Sequence, residues 1–151
     1  MIEWHLERRR IKDLKPYPKN PRYMSKDQAR YLQRNLEKYG LIDKPSINLD
    51  NTLIGGHQRI KILKKMGEKE IDVFVPSYEL TKEEVKELNL TLNRLHGDFD
   101  YDILANEYDM EDLFESGFTD RELSMVSEAR EEILEKKNKK LKKCPSCGYE
   151  S

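Results

Sequence analysis

The sequence predicts an α+β fold: a compact domain over residues 1–96, an all-helical appendage over 97–135 and a basic tail over 136–151. Three observations lead there. Up to His96, short runs of alternating apolar residues interleave with segments of helical spacing, in an order too irregular for a parallel βαβ array. Two of the runs, 45–49 and 52–54, are separated only by Asp50-Asn51 and read as a hairpin. Beyond Gly97 every apolar pattern is helical and the charge turns acidic.

Each element has its own signal. Ile2, Trp4 and Leu6 alternate with polar neighbours as in a half-buried strand. Residues 11–14 read as a short turn, and the proline-rich run 15–22 as rigid loop. Ser25 with Gln28 is a capping-box pattern; it opens a helix with Ala29, Leu32, Leu36 and Tyr39 on one face, ended by Gly40. The hairpin follows, and its second strand stops at Gly55-Gly56. A basic helix begins there, with Ile60, Leu63 and Met66 inward and Gly67 at its C-terminal end. Ile71, Val73 and Val75 mark another strand, stopped by Pro76. Thr81 and Glu84 form a second capping box, opening a helix whose Val85, Leu88, Leu92 and Leu95 face the core. In the appendage, Asp100 caps a helix carrying Ile103 and Leu104, a second helix lies in 109–116 before Gly117, and Thr119 with Glu122 opens a third through Leu134. The lysine-rich stretch 136–143 reads as a fraying helix end or a flexible arm.

Charged residues (38%) outnumber hydrophobic ones (36%), and no apolar stretch approaches the ~20 residues of a membrane span, so membrane partners are not expected. The N-terminus MIEWHLERRR lacks the apolar segment of a secretion signal, which makes a cytoplasmic protein the expectation. A net charge of −1 is neutral on nucleic acid, but its distribution is not. Positive charge gathers at 8–10, 59–65 and 136–143, and 98–122 is acidic. The GFTD turn at 117–120 invites comparison with a helix-turn-helix. The would-be reader segment 120–126 has Arg121 as its one basic residue, so the appendage reads as a packing or interaction element.

The stretch 51–66, NTLIGGHQRIKILKKM, carries the main functional signal. A strand running directly into a helix N-terminus presents amides without intrahelical partners and the positive end of the helix dipole; a glycine pair lets an anion approach that backbone. Arg59, with Lys61 or Lys64, adds positive charge. The competing reading is a plain strand-to-helix turn, with glycines for geometry and lysines for solubility. In the tail, Cys144 and Cys147 have zinc-knuckle spacing but make half a site. His5, His57 and His96 are the histidines available within one chain; two cysteines from each subunit of a homodimer would complete a tetrahedron more simply. An unmetallated end is the alternative.

NPR (Asn20-Pro21-Arg22), a helix, GLIDKP (40–45), a hairpin, IGGHQRIKILKKMG (54–67), IDVFV (71–75) and TKEE (81–84) follow one another in an order that resembles the ParB N-terminal domain of the ParB/sulfiredoxin superfamily, over roughly residues 8–95. The resemblance implies a small mixed sheet with flanking helices. It implies that Gly55, Gly56, His57, Gln58 and Arg59 bind a nucleoside triphosphate, CTP or ATP with Mg²⁺, and that Asn20, Arg22 and Gly40 border the same cleft. The chain departs from the family in two places. Asp43 stands where CTP-binding partition proteins usually carry Gln, and His57 stands at the reactive Cys of sulfiredoxins, which excludes sulfiredoxin chemistry. Asn93-Arg94 is a fragment of the segment leading into the partition proteins' helix-turn-helix. The chain is similar to the small ParB-like proteins of phages and mobile elements that are described as ParB-like nuclease domain proteins, a label that does not establish cleavage.

Three functions follow as expectations. The first is a nucleotide-binding, DNA-associated module with weak, salt-sensitive DNA contact. The second is a metal-dependent nuclease or nucleotide phosphohydrolase or phosphotransferase, with His57 and Asp43 as its catalytic residues. The third is an assembly protein of a phage or plasmid complex, working through its acidic helices and cysteine tail.

Overall fold

The structure, a computed structural model, describes residues 1–141. Its contacts divide into two units, Met1–His96 and a second beginning at Gly97.

The first unit contains strands β1 (Trp4–Arg10), β2 (Lys15–Pro16), β3 (Ser46–Ile47), β4 (Thr52–Gly55) and β5 (Glu70–Pro76), with helices α1 (Lys26–Tyr39), α2 (His57–Lys65) and α3 (Lys82–Arg94). The strands form one mixed sheet in the order β1-β5-β3-β4-β2. β1 pairs antiparallel with β5 and β3 with β4, while β3–β5 and β2–β4 run parallel. The predicted hairpin is β3–β4, and Asn51 takes the left-handed conformation its turn requires (φ 69).

Alternation along β4 explains why Leu53-Ile54 is apolar without a break. Leu53 packs with Leu36 of α1 and with Ile60 and Leu63 of α2, whereas Ile54 points to the opposite face and packs with Val85 of α3. A strand covered on both faces has no polar side to show. Ile71, Val73 and Val75 of β5 join the larger cluster. Asn48 is buried just beyond β3 because its side chain acts as a strand edge: Nδ2 donates to Leu80 O and Oδ1 accepts from Leu80 N, both at 2.9 Å.

The capping boxes form as the sequence predicts. Ser25 Oγ accepts from Gln28 N and Gln28 Oε1 from Ser25 N, each at 3.1 Å. Thr81 and Glu84 make the same reciprocal pair at the start of α3. Gly40 closes α1 at φ 74.

Several expectations need correction. Lys15-Pro16 is a short parallel strand rather than loop, its Lys15 N–H donating to Asn51 O at 2.9 Å. Leu6 is exposed on the edge strand β1, whose outer positions are occupied instead by charge: Arg8 reaches Asp72, its register partner on β5, at 3.2 Å. Tyr39 is exposed, and Tyr31 takes its place among the buried residues of α1. On α3 the buried residues are Val85 and Asn89, with Leu88 packed against the core as expected, while Leu92 is 40% and Leu95 74% exposed. A hydrogen-bonded polar side chain is buried in place of the expected Leu92 and Leu95, and a spacing argument built on apolar residues alone cannot see that exchange.

The second unit is helical: α4 (Tyr101–Glu107), α5 (Met110–Glu115) and α6 (Asp120–Leu141) pack around Leu104, Ala105, Leu113 and Val126. Asp100 Oδ1 accepts from the amides of Asp102 and Ile103, capping α4. Thr119 and Glu122 form the third capping box. Arg130 of α6 donates to Ala105 O and Tyr108 O at 3.2 and 2.8 Å, satisfying the C-terminal end of α4. α6 runs on past the expected end at Leu134 to Leu141. Among the described residues, no helix is long and apolar enough to cross a membrane.

Candidate functional site: a basic cleft at the start of α2

The diglycine has two separate structural reasons. Gly56 is the N-cap of α2 in the left-handed conformation (φ 88), and a Cβ there would stand 2.9 Å from Pro45 Cβ. A Cβ on Gly55 would meet Ser46 Oγ at 2.9 Å and Leu92 Cδ1 at 3.0 Å. β4 therefore turns into α2 pressed against Pro45. Gly56 offers no side-chain cap, so the amides of the first turn of α2 keep their donor capacity for something else.

That turn opens into a cleft of about 310 Å³ that lies wholly within the first unit. Gly55, Gly56, His57, Gln58 and Arg59 line it from the strand-helix junction, Asn20 and Arg22 from the proline-rich loop, and Asp43, Lys44 and Ser46 from the segment before and into β3. Leu92, Asn93 and His96 complete the wall from α3 and its end. Seven of the eight residues expected to bind nucleotide are brought together. Gly40 is not among the lining residues; it caps α1 with open space around it. Three cations, Arg22, Lys44 and Arg59, and one carboxylate, Asp43, face the cleft.

The loop holding Asn20 and Arg22 is tied down by amides. Asn20 Oδ1 accepts from Asn89 Nδ2 at 3.3 Å and from Asn93 Nδ2 at 3.2 Å. The buried Asn89 also donates to Ile54 O at 2.7 Å, so one side chain joins the loop, α3 and the strand leading to the diglycine. Gln58 Nε2 donates to Arg22 O at 3.3 Å, and Arg22 Nη1 to His96 Nε2 at 3.3 Å. Asn89, Asn93, Lys44 and His96 extend the predicted site. An asparagine four residues from Val85 on an otherwise apolar helical face was the available signal for Asn89.

His57 and Asp43 do not make a pair. The backbone N–H of Tyr17 donates to His57 Nε2 at 3.1 Å, which puts the imidazole proton on Nδ1. Burial, with the positive charge of Lys61, holds the ring below its ordinary value of 6.5. A neutral ring whose acceptor nitrogen is occupied has no basic lone pair to offer a substrate. The sequence leaves Arg59 free to meet a phosphate, but the structure pairs its guanidinium with the carboxylate of Asp43. The cleft beside that pair is open.

Among the described residues, no group of three or more His, Cys, Asp or Glu side chains converges as metal ligands. His5 bonds Glu7 at 2.6 Å, and His57 and His96 are engaged as above. Cys144 and Cys147, and with them the zinc site proposed from sequence, lie outside the described residues.

No family model and no curated protein sequence matches the chain. Solved structures do. The chain is similar to the C-terminally truncated chromosome-partitioning protein ParB from Caulobacter crescentus complexed with CTP-γ-S, with TM-score 0.56 and 18% identity, covering 86% of this chain and 79% of that one. Two structures of pNOB8-like ParB N-domains match at TM-scores 0.56 and 0.55 with 20% and 19% identity, over 93% and 94% of this chain. The chain spans about half the length of each of those two, 51% and 47%. At these identities the likeness is one of fold: the α+β unit with its mixed sheet has a fold similar to that of ParB N-terminal domains.

Proposed function

We propose that this protein is a nucleotide-binding, DNA-associated module that holds the phosphates of a nucleoside triphosphate, CTP or ATP, at the turn from β4 into α2. The observation that carries this reading is the coincidence of an uncapped helix N-terminus with three cations around one open cleft. Unpartnered amides and the helix dipole favour an anion, and Arg22, Lys44 and Arg59 supply the charge a polyphosphate needs. The fold adds support, since the similar Caulobacter protein is complexed with a CTP analogue. Mg²⁺ arrives with the triphosphate in this reading and is held mainly by phosphate oxygens, because Asp43 is the one carboxylate on the cleft wall. A thermal-shift panel over the common nucleoside triphosphates, with and without Mg²⁺, is the test. At least one nucleotide raises the melting temperature and Arg59→Ala removes the rise; no shift with any of them overturns the proposal.

DNA contact is favoured by a second groove of about 700 Å³ lined by Arg8, Arg10, Lys12, Lys64 and Lys69 together with Glu68 and Glu70. Two basic clusters far apart in sequence, at the end of β1 and along α2, share this surface. Arg8 is paired with Asp72 and Glu70, and Arg10 with Asp13, while Lys12, Lys64 and Lys69 make no ion pair among the described residues. Such a surface suits phosphate contacts that position a duplex without reading its bases. The environment of His57 supports a positioning role for the ring rather than that of a hydrolytic base.

A further inference from the structure

We propose that Asp43 is a tethered competitor for the anionic ligand of the cleft: its carboxylate occupies the guanidinium of Arg59 that a phosphate takes on binding, and this exchange sets the affinity. The inference rests on the polyphosphate reading given above and adds a specificity-determining residue to it.

The two partners are unequally held. The side chain of Arg59 is 28% exposed, on the first turn of α2, where it lines the cleft beside the uncapped amides. Asp43 is 72% exposed, on the bend between α1 and Pro45. When the pair opens, Asp43 therefore swings into solvent while Arg59 stays at the cleft wall. A carboxylate and a phosphate oxygen present the same chemistry to a guanidinium, and Asp43 takes the Nη2 donor of Arg59, so a phosphate that uses this donor must displace it. Asp43 is the single carboxylate among the lining residues, so no other acid takes its place at Arg59. Arg22 and Lys44 hydrogen-bond groups other than acids, His96 and Leu41 O, and among the described residues Arg59 is the one of the three cleft cations that meets a carboxylate. An exposed ion pair is weak, so the competitor tunes affinity without closing the site. Its role is to offset one of the three positive charges of the empty cleft and to reject weak single anions, while a polyphosphate with several contacts displaces it.

The test is calorimetric titration of the full chain with inorganic tripolyphosphate, free of divalent metal, at constant ionic strength. Asp43→Asn keeps the side chain's shape and removes its charge; it binds tripolyphosphate about fivefold tighter than the parent, the range set by an exposed pair. The exposed position leaves the melting temperature of this variant near the parent's. In an Arg59→Ala background, where binding is weaker and is followed at millimolar ligand, Asp43→Asn has no further effect, because competition requires the guanidinium. If the parent binds and Asp43→Asn binds equally or more weakly, the competitor role is overturned while the cleft reading stands. Tightening that persists undiminished without Arg59 also overturns it, since that result belongs to general charge repulsion. Failure of both parent and Asp43→Asn to bind overturns the polyphosphate reading and this inference with it.

Discussion

The N–H of Tyr17 donates to Nε2 of His57 across 3.1 Å, joining the proline-rich loop to the first residue of α2. The bond requires a neutral ring, and burial together with Lys61 already disfavours the charged one. A histidine held below its ordinary value of 6.5 binds fewer protons folded than unfolded, so its contribution is complete above about pH 6.5 and is lost as pH falls through the lower folded value. His57→Gln, which does not titrate, flattens the fall in melting temperature between pH 7 and pH 5 relative to the parent. Coincident profiles for the two proteins would falsify the assignment.

The two glycines of the junction differ in what they tolerate. Gly56→Ala meets both a left-handed backbone and the body of Pro45, and destabilises by roughly 2–3 kcal/mol. Gly55→Ala meets the movable ends of Ser46 and Leu92, and costs about 1 kcal/mol. Urea denaturation of the two variants measures the order, and a larger loss for Gly55→Ala contradicts this account of the turn.

Asn89→Leu removes the donor to Ile54 O from a buried position and one of the two amide donors that hold Asn20, leaving Asn93 as the other. Leaving that carbonyl unpaired costs about 1–3 kcal/mol. Amide exchange then rises around residues 20–22 more than in the sheet, because the loop has lost one of its anchors. Uniform exchange across the domain would show that Asn89 serves core packing alone.

Exchanging Lys12, Lys64 and Lys69 for Gln weakens duplex binding in the second groove without changing any preference for base sequence. The slope of log affinity against log salt falls by about 0.9 for each phosphate contact removed, so by roughly 2–3 for the triple variant. Fluorescence anisotropy over a salt series checks this, and an unchanged slope assigns DNA contact to another surface.

Local chemistry decided much of this protein within the sequence itself. Ser25-Gln28, Thr81-Glu84 and Thr119-Glu122 each satisfy helix N-termini over four residues, and they form because no distant group is needed. The turn at Asp50-Asn51 and the Leu53-Ile54 run ending at the diglycine were legible for the same reason: turn residues and short apolar runs are short-range signals. The cleft's membership was legible only in part. Gly55 to Arg59 announced themselves as a strand-helix junction, and the order of motifs led to Asn20 and Arg22. What tertiary structure alone decided is who pairs with whom. Asp43 and Arg59 lie sixteen residues apart, and Tyr17 and His57 forty. Asn20 meets Asn89 and Asn93 across some seventy residues. Those distances close only when the sheet brings loops from different strands to one end, where burial and hydrogen bonding fix the charge of His57 and give Arg59 its carboxylate.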